Sequence, residues 1–233
     1  MPTFPAKLLN LGQFPYMETL ALMRRLAVLG RSPEQPQVVI VVTHEPVITM
    51  GRRAESSEVR ADPTRLRRLG VNVHRIERGG LATYHGPGQL VAYTIFNLRT
   101  LRMGIKDLVA ALEAVIVDTL DEFGVAGRLR EGYRGVWVGA EKIASIGLAV
   151  KHQVTFHGLA LNCDPDLSHF DLITPCGLTD VCMTSMARQL GRPVSVTSVT
   201  PGLAASMARR LRLSFNDWSP AEAQAAAERV PVV

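Results

Sequence analysis

Between residues 105 and 162 the chain passes from a helix-type pattern straight into three strand-type patterns, and this order constrains the fold more than any other feature. Across residues 105–123 the apolar positions Val109, Leu112, Ile116, Leu120 and Phe123 recur at spacings of 3, 4, 4 and 3. That is the repeat of a helix with one buried face, and Gly124 follows as a stop. Residues 135–138, residues 142–150 and Val154–Asn162 then read as strands separated by short turns. Strands joined without helices between them pair antiparallel, which favours α+β over a doubly wound parallel sheet. The expectation is a single α+β domain with a mixed or antiparallel β-sheet flanked by helices.

The remaining segments fit that class. Tyr16–Leu29 carries an apolar stripe of Leu20, Leu22, Met23, Leu26 and Leu29 with Arg24 and Arg25 off it, and predicts a helix. Gln37–Thr43 and Val47–Met50 read as strands, residues 63–69 as a short helix, and residues 71–76 as a strand entering Arg78-Gly79-Gly80. Residues 90–96 predict a strand after the turn Gly86-Pro87-Gly88, and residues 183–190 and 199–213 predict helices. Residues 213–217 read as the start of a small appendage, and the Ala/Glu-rich end as a surface helix with a frayed tail. The main domain is therefore expected over residues 1–214 and a C-terminal tail over 215–233. The aliphatic runs at 38–42 and 146–150 are too short to cross a bilayer, and the first residues lack the pattern of a signal peptide. A soluble, cytoplasmic protein without a membrane partner is expected.

The net charge is +5, and residues 51–80 carry four of the five excess charges: eight arginines (Arg52, Arg53, Arg60, Arg65, Arg67, Arg68, Arg75, Arg78) face four acids. No aromatic is interleaved through this patch, so base stacking lacks support and an acidic protein ranks above nucleic acid as a partner. The three cysteines, Cys163, Cys176 and Cys182, are an odd count that argues against a disulfide framework. No cysteine pair has a zinc-knuckle gap and no histidine pair has helical ligand spacing, so no metal and no cofactor is expected.

Three clusters carry candidate chemistry. In residues 77–89, Gly79, Gly80, Gly86 and Gly88 between strands make either a hairpin or a backbone that approaches a ligand closely. In residues 141–147, Lys142 opens an apolar strand in a chain with only four lysines; it is either a buried base or a strand-end lysine reaching water. In residues 174–180, Cys176 stands between Pro175 and Gly177 on a tight turn, where a reactive thiol and an accessible amide fit together. Cys163 reads as a structural strand residue and Cys182 as core filling. His157 and His85 could orient a carbonyl; His44, His74, His152 and His169 are assigned to structure or surface.

The ordered set HGPGQL, KIASIG, FHGLALN and TPCG resembles the octanoyltransferase family, over about residues 38–191. The resemblance implies a biotin/lipoate-protein ligase-like fold, with residues 1–214 as the catalytic domain. It also implies a Cys/Lys dyad on Cys176 and Lys142. Family substrate-binding segments fall on Arg78, Gly79, Gly80, Leu81, Ala82, Thr83, Tyr84 and His85, on Ser145, Ile146 and Gly147, and on Gly158, Leu159 and Ala160. Two segments depart from the family pattern: Thr43-His44-Glu45-Pro46 stands where Glu-His-Pro is usual, and Ala92-Tyr93-Thr94 where Gly-Tyr-Pro is usual.

The implied activity is transfer of an octanoyl group from octanoyl-acyl carrier protein, through a cysteine thioester, to a lysine of a lipoyl domain. The implied acceptors are the lipoyl domains of 2-oxoacid dehydrogenase complexes and the glycine cleavage H protein. No metal or nucleotide is required, and the arginine patch suits an acidic carrier. Alternatives are an ATP-dependent lipoate-type ligase, which would not need Cys176, a lipoyl or octanoyl amidotransferase, and a non-enzymatic basic binding module.

Overall fold

The computed structural model describes residues 3–174 and 181–230. Eight strands form one mixed sheet: β1 (Phe4–Gln13), β2 (Gln37–Thr43), β6 (Gln89–Ile95), β7 (Arg128–Arg130), β8 (Tyr133–Val138), β9 (Glu141–Lys151), β10 (Val154–Asn162) and β11 (Leu213–Trp218). Their order is β11-β1-β2-β6-β10-β9-β8-β7. The pairs β11–β1 and β1–β2 are parallel, and every pair from β2 to β7 is antiparallel. A smaller sheet, in the order β4-β3-β5, holds β3 (Val47–Met50), β4 (Asn72–Arg75) and β5 (Ala82–His85).

Both faces of the large sheet are covered, which is why β2 shows an unbroken apolar run rather than polar alternation. Val39 and Val41 point to one face, where α4 (Ile105–Glu122) and α6 (Val196–Leu211) pack through Leu108, Leu112, Ile116, Leu203 and Met207. Val38, Ile40 and Val42 point to the other, against Leu20, Met23 and Leu26 of α1 (Tyr16–Leu29). The small sheet has its own core, in which Ile48 and Tyr84 meet Leu66 of α2 (Pro63–Arg68) and Phe170, Leu172 and Ile173. The molecule is a single α+β domain, as the order of patterns predicts.

The ends of the chain differ from the sequence reading. Residues 213–217 do not begin an appendage: they form edge strand β11, in register with β1 from Phe4↔Leu213 to Leu9↔Trp218. The last helix, α7 (Pro220–Glu228), buries Ala223 and Ala227 completely in the core that holds α1. Its small residues permit close approach, which hydropathy alone does not reveal. Strand β1 is absent from the sequence reading because FPAKLLNLGQ has neither alternation nor β-branched residues; its two parallel neighbours define it. The helix expected at 183–190 begins at Met186, as α5 (Met186–Leu190), with Ser185 as its N-cap.

Candidate active site

Strands β9 and β10 cross the centre of the large sheet, and the glycine-rich connection into β5 passes over them. A cavity of about 500 Å³ lies between. From β9 come Lys142, Ser145, Ile146 and Gly147, and from β10 come Gly158, Leu159 and Ala160. The overlying segment contributes Arg78, Gly79, Gly80, Leu81, Ala82, Thr83 and His85. Close approach of the layers depends on glycine: a Cβ at Gly147 would press on Arg78 Cδ at 3.2 Å and the Gly79 carbonyl oxygen at 3.3 Å in the overlying segment. Tyr84 alone of these sequence-derived positions lies elsewhere. Its side chain turns into the small core, where the hydroxyl pairs with His169 Nδ1 at 2.8 Å and the ring meets Phe170.

Lys142 is buried, at 4% exposure, and its ammonium lies 5.5 Å from the centre of the Trp137 ring. This burial is at odds with the reading of a strand-end lysine that reaches water. Space for it is made by Gly135, whose backbone sits at φ +104°: a Cβ there would crowd Lys142 Cε and overlap the Ala144 carbonyl. Glu113 of α4 fixes this glycine by accepting from its N–H at 3.0 Å. The Lys142 backbone is also clamped. Its N–H donates to the Cys182 carbonyl and its carbonyl accepts from Thr184 N–H, each at 2.9 Å.

Cys176 falls outside the described residues. The described flanks are anchored on the two walls of the cavity. Before it, Thr174 N–H donates to the Glu58 carbonyl at 2.7 Å, while the Glu58 carboxylate accepts from Ala82 N–H. After it, residues 182–184 run beside Lys142 as just described. Cys163 is fully buried and its thiol is pushed up to about 12 by burial, in keeping with a structural residue. Cys182 is exposed, against the expectation that it fills the core: its carbonyl, rather than its side chain, faces inward to Lys142.

The wall away from Lys142 is polar, and the sequence reading names His85, His157 and Arg78 of it but misses the two tyrosines. Tyr16 and Tyr93 join His85, His157 and Arg78 in lining the cavity, with His44 completely buried behind them. His44 Nδ1–H donates to the Phe14 carbonyl at 2.8 Å and Nε2 accepts from the Tyr93 hydroxyl at 2.7 Å. Burial holds His44 down at about 4; burial, with repulsion from His44 and Arg78, holds His85 at about 3. His157 is held at about 4 by burial, partly offset by Glu77, whose carboxylate lies 4.0 Å from Nε2. Its backbone sits at φ +61°, a left-handed conformation inside a strand, of the kind that concentrates at functional sites. Arg78 is counted with the surface patch in the sequence but lies inside, only 7% exposed, donating to the Thr49 carbonyl and hydroxyl. Arg53 and Arg134 also line the cavity. Among the described residues, no helix is long and apolar enough to cross a membrane.

Comparison with known proteins converges on one group. Relatives include the octanoyltransferases of Syntrophobacter fumaroxidans, 44% identical over 91% of this chain and 92% of that protein, and of Caldicellulosiruptor saccharolyticus, 44% identical over 79% of each. Among solved structures, lipoate-protein ligase A bound with ATP superposes with a TM-score of 0.81 at 17% identity, covering 97% of this chain and 93% of that one. The biotin protein ligase of Aquifex aeolicus in complex with biotin and ATP gives a TM-score of 0.53 at 12% identity, over 89% and 70%. At such identities these two likenesses establish the shared fold. The model of the lipoyl protein ligase A/B catalytic domain matches residues 15–208. A buried lysine under a glycine-rich cover, relatives at 44% identity and this match agree: the chain belongs to the lipoyl protein ligase A/B catalytic-domain family.

Proposed function

We propose that this chain transfers an octanoyl group from octanoyl-acyl carrier protein to a lysine of a lipoyl domain, by way of a thioester on Cys176. The observation that carries the reading is the cavity itself. Three separate segments, 78–85, 145–147 and 158–160, converge on one space of about 500 Å³ that also holds the buried Lys142. Its volume lies in the range of about 300 to 1,000 Å³ typical of small-molecule sites. Backed by Leu159, Ile146 and Ala160, it offers an apolar surface for the acyl tail; burying six methylenes contributes about 5 kcal/mol at roughly 0.8 kcal/mol each. Relatives named octanoyltransferase supply the identity of the acyl group.

In this mechanism Lys142 removes the proton of Cys176, and the thiolate attacks the acyl carbon of the donor. The tetrahedral oxyanion collapses, the carrier's pantetheine sulfur leaves as a thiol after taking a proton from Lys142, and an octanoyl-cysteine thioester remains. One thioester is exchanged for another, so little driving force is lost. The ε-amine of the acceptor lysine then attacks this thioester. Lys142 accepts the amine's proton, the Cys176 sulfur leaves, and an amide forms. Backbone N–H groups near Cys176 and around Gly80 or Gly147 are the candidates to bind the oxyanion; the Gly79 N–H is already donated to the Leu148 carbonyl at 2.8 Å. The arginines at the cavity, Arg53 and Arg134, suit an acidic carrier. The acceptors in this reading are lipoyl domains of 2-oxoacid dehydrogenase complexes and the glycine cleavage H protein.

The test is intact-mass spectrometry of the protein mixed with octanoyl-acyl carrier protein without ATP, followed by addition of a lipoyl domain. One octanoyl group should appear on Cys176 and then move to the domain's lysine. Acylation of the domain only with free octanoate and ATP would replace this reading with a ligase. A protein-bound octanoyl amide serving as the only donor would make it an amidotransferase.

A further inference from the structure

Two polar residues in the sequence motifs have no part in this chemistry: Gln89 at the end of HGPGQ and Asn162 at the end of FHGLALN. Both are almost fully buried, at 2% and 1% exposure, and they stand opposite each other on the adjacent strands β6 and β10. Their carboxamides bond to one another, Gln89 Nε2 donating to Asn162 Oδ1 at 3.0 Å.

From this pair a chain of buried hydrogen bonds runs in both directions. Towards the polar wall, Gln89 Oε1 accepts from His85 Nδ1–H at 2.7 Å. His85 Nε2 faces the Thr49 hydroxyl at 3.5 Å, and that hydroxyl accepts from Arg78 at 2.9 Å. Towards the other end, Asn162 Nδ2 donates to the Thr184 carbonyl at 2.9 Å, and Thr184 N–H donates to the Lys142 carbonyl at 2.9 Å. Both ends of the chain, Arg78 and Lys142, line the cavity.

Buried polar pairs of this kind add little net stability over apolar residues of equal volume, but they fix geometry, since each misplacement strands a donor or acceptor. What this one fixes is specific. Thr184 stands eight residues beyond Cys176, on the segment 182–184 whose backbone clasps Lys142 from both sides. We propose that Asn162 is a positioning residue: by holding the Thr184 carbonyl it pins segment 182–184 against the Lys142 backbone, and so sets where Lys142 stands in the cavity. The inference rests on the acyl-transfer reading above. Asn162 touches no substrate in this scheme; it acts through Thr184.

The experiment compares wild type with Asn162→Ala and with Asn162→Asp, which keeps the volume and the acceptor for Gln89 but removes the donor to Thr184. Three quantities are read in each: kcat and KM for octanoyl-acyl carrier protein, the pH midpoint of Cys176 alkylation by iodoacetamide followed by mass, and thermal unfolding. Misplacement of a reacting pair by a fraction of an ångström to an ångström lowers kcat by about 10 to 100-fold, with KM expected to stay within about twofold. The alkylation midpoint should move upward, because the thiolate loses its partner cation. A folded variant with the wild-type kcat and alkylation midpoint overturns the proposal. So does a loss confined to KM, a loss that merely tracks the folded fraction, or failure of both variants to fold. Wild-type protein that takes no octanoyl group onto Cys176 overturns the acyl-transfer reading instead, and this proposal with it.

Discussion

Acid should destabilise this protein steeply through three histidines. His44, His85 and His157 are 0%, 7% and 2% exposed, and burial depresses them from 6.5 to about 4, 3 and 4 respectively. In the unfolded chain each titrates near its ordinary value, so between pH 6.5 and 4 the unfolded state binds more protons than the folded one. Stability is then complete above about pH 6.5 and falls as the pH drops towards the folded values. From pH 6.5 to 5 each imidazole removes about 1.6 kcal/mol, and the three together about 5 kcal/mol, a large fraction of the 5–15 kcal/mol that holds a typical domain. Asp118 titrates outside this window: Arg210 and Ser206 hold its carboxyl at about 2 against the opposing effect of burial.

The assay is urea unfolding followed by far-UV circular dichroism at half-unit steps from pH 7.5 to 5.0. The slope of unfolding free energy against pH, divided by about 1.4 kcal/mol, counts the protons taken up on unfolding and should approach three near pH 5. His44→Gln should lower that count by one, whatever it does to stability at pH 7.5. A free energy that stays level across the range, or an uptake below one proton, would refute the assignment of these histidines as buried and neutral.

Other perturbations probe different parts of the molecule. Gly135→Ala should lower stability as well as acyl transfer, because the added methyl overlaps the Ala144 carbonyl at φ +104° and crowds Lys142; urea unfolding beside steady-state rates per folded protein checks it, with the rate expected to fall at least about tenfold. Leu112→Ala, at a fully buried position of α4, should lower unfolding free energy by about 2 to 5 kcal/mol in urea titrations. Arg53→Glu should raise KM for the acidic carrier at low salt, and the gap from wild type should shrink on going from about 0.05 to 0.5 M salt, as a screened docking charge requires.

The parts of this fold that repeat locally are legible from the sequence. The spacing at residues 105–123 corresponds to α4, and the strand patterns over 142–150 and 154–162 correspond to β9 and β10. What escapes is whatever depends on distant partners. Strand β1 has no pattern of its own, and α7 hides its burial behind alanines. The same division holds at the cavity. Motif glycines and Lys142 announce themselves through residue type and rarity. Tyr16, Tyr93 and His44 come from a helix start, a strand middle and a turn, and only folding brings them together. Arg78 is set apart from the other arginines of its stretch only by the family resemblance, because charge patterning alone carries no sign of which cation faces inward.

The pairing of β11 with β1 has a consequence for how the chain is made. Phe4 meets Leu213, and α7 packs on α1, so during synthesis β1 and α1 wait for partners made about 200 residues later. Until then β1 has one open edge and α1 an uncovered apolar flank, both invitations to association with other chains. Contacts so far apart in sequence slow the final closure. A chain that stopped short of residue 213 would keep every cavity-lining residue and yet leave that edge permanently unpaired, so aggregation during synthesis, rather than missing chemistry, is how a nascent or truncated copy of this protein would fail.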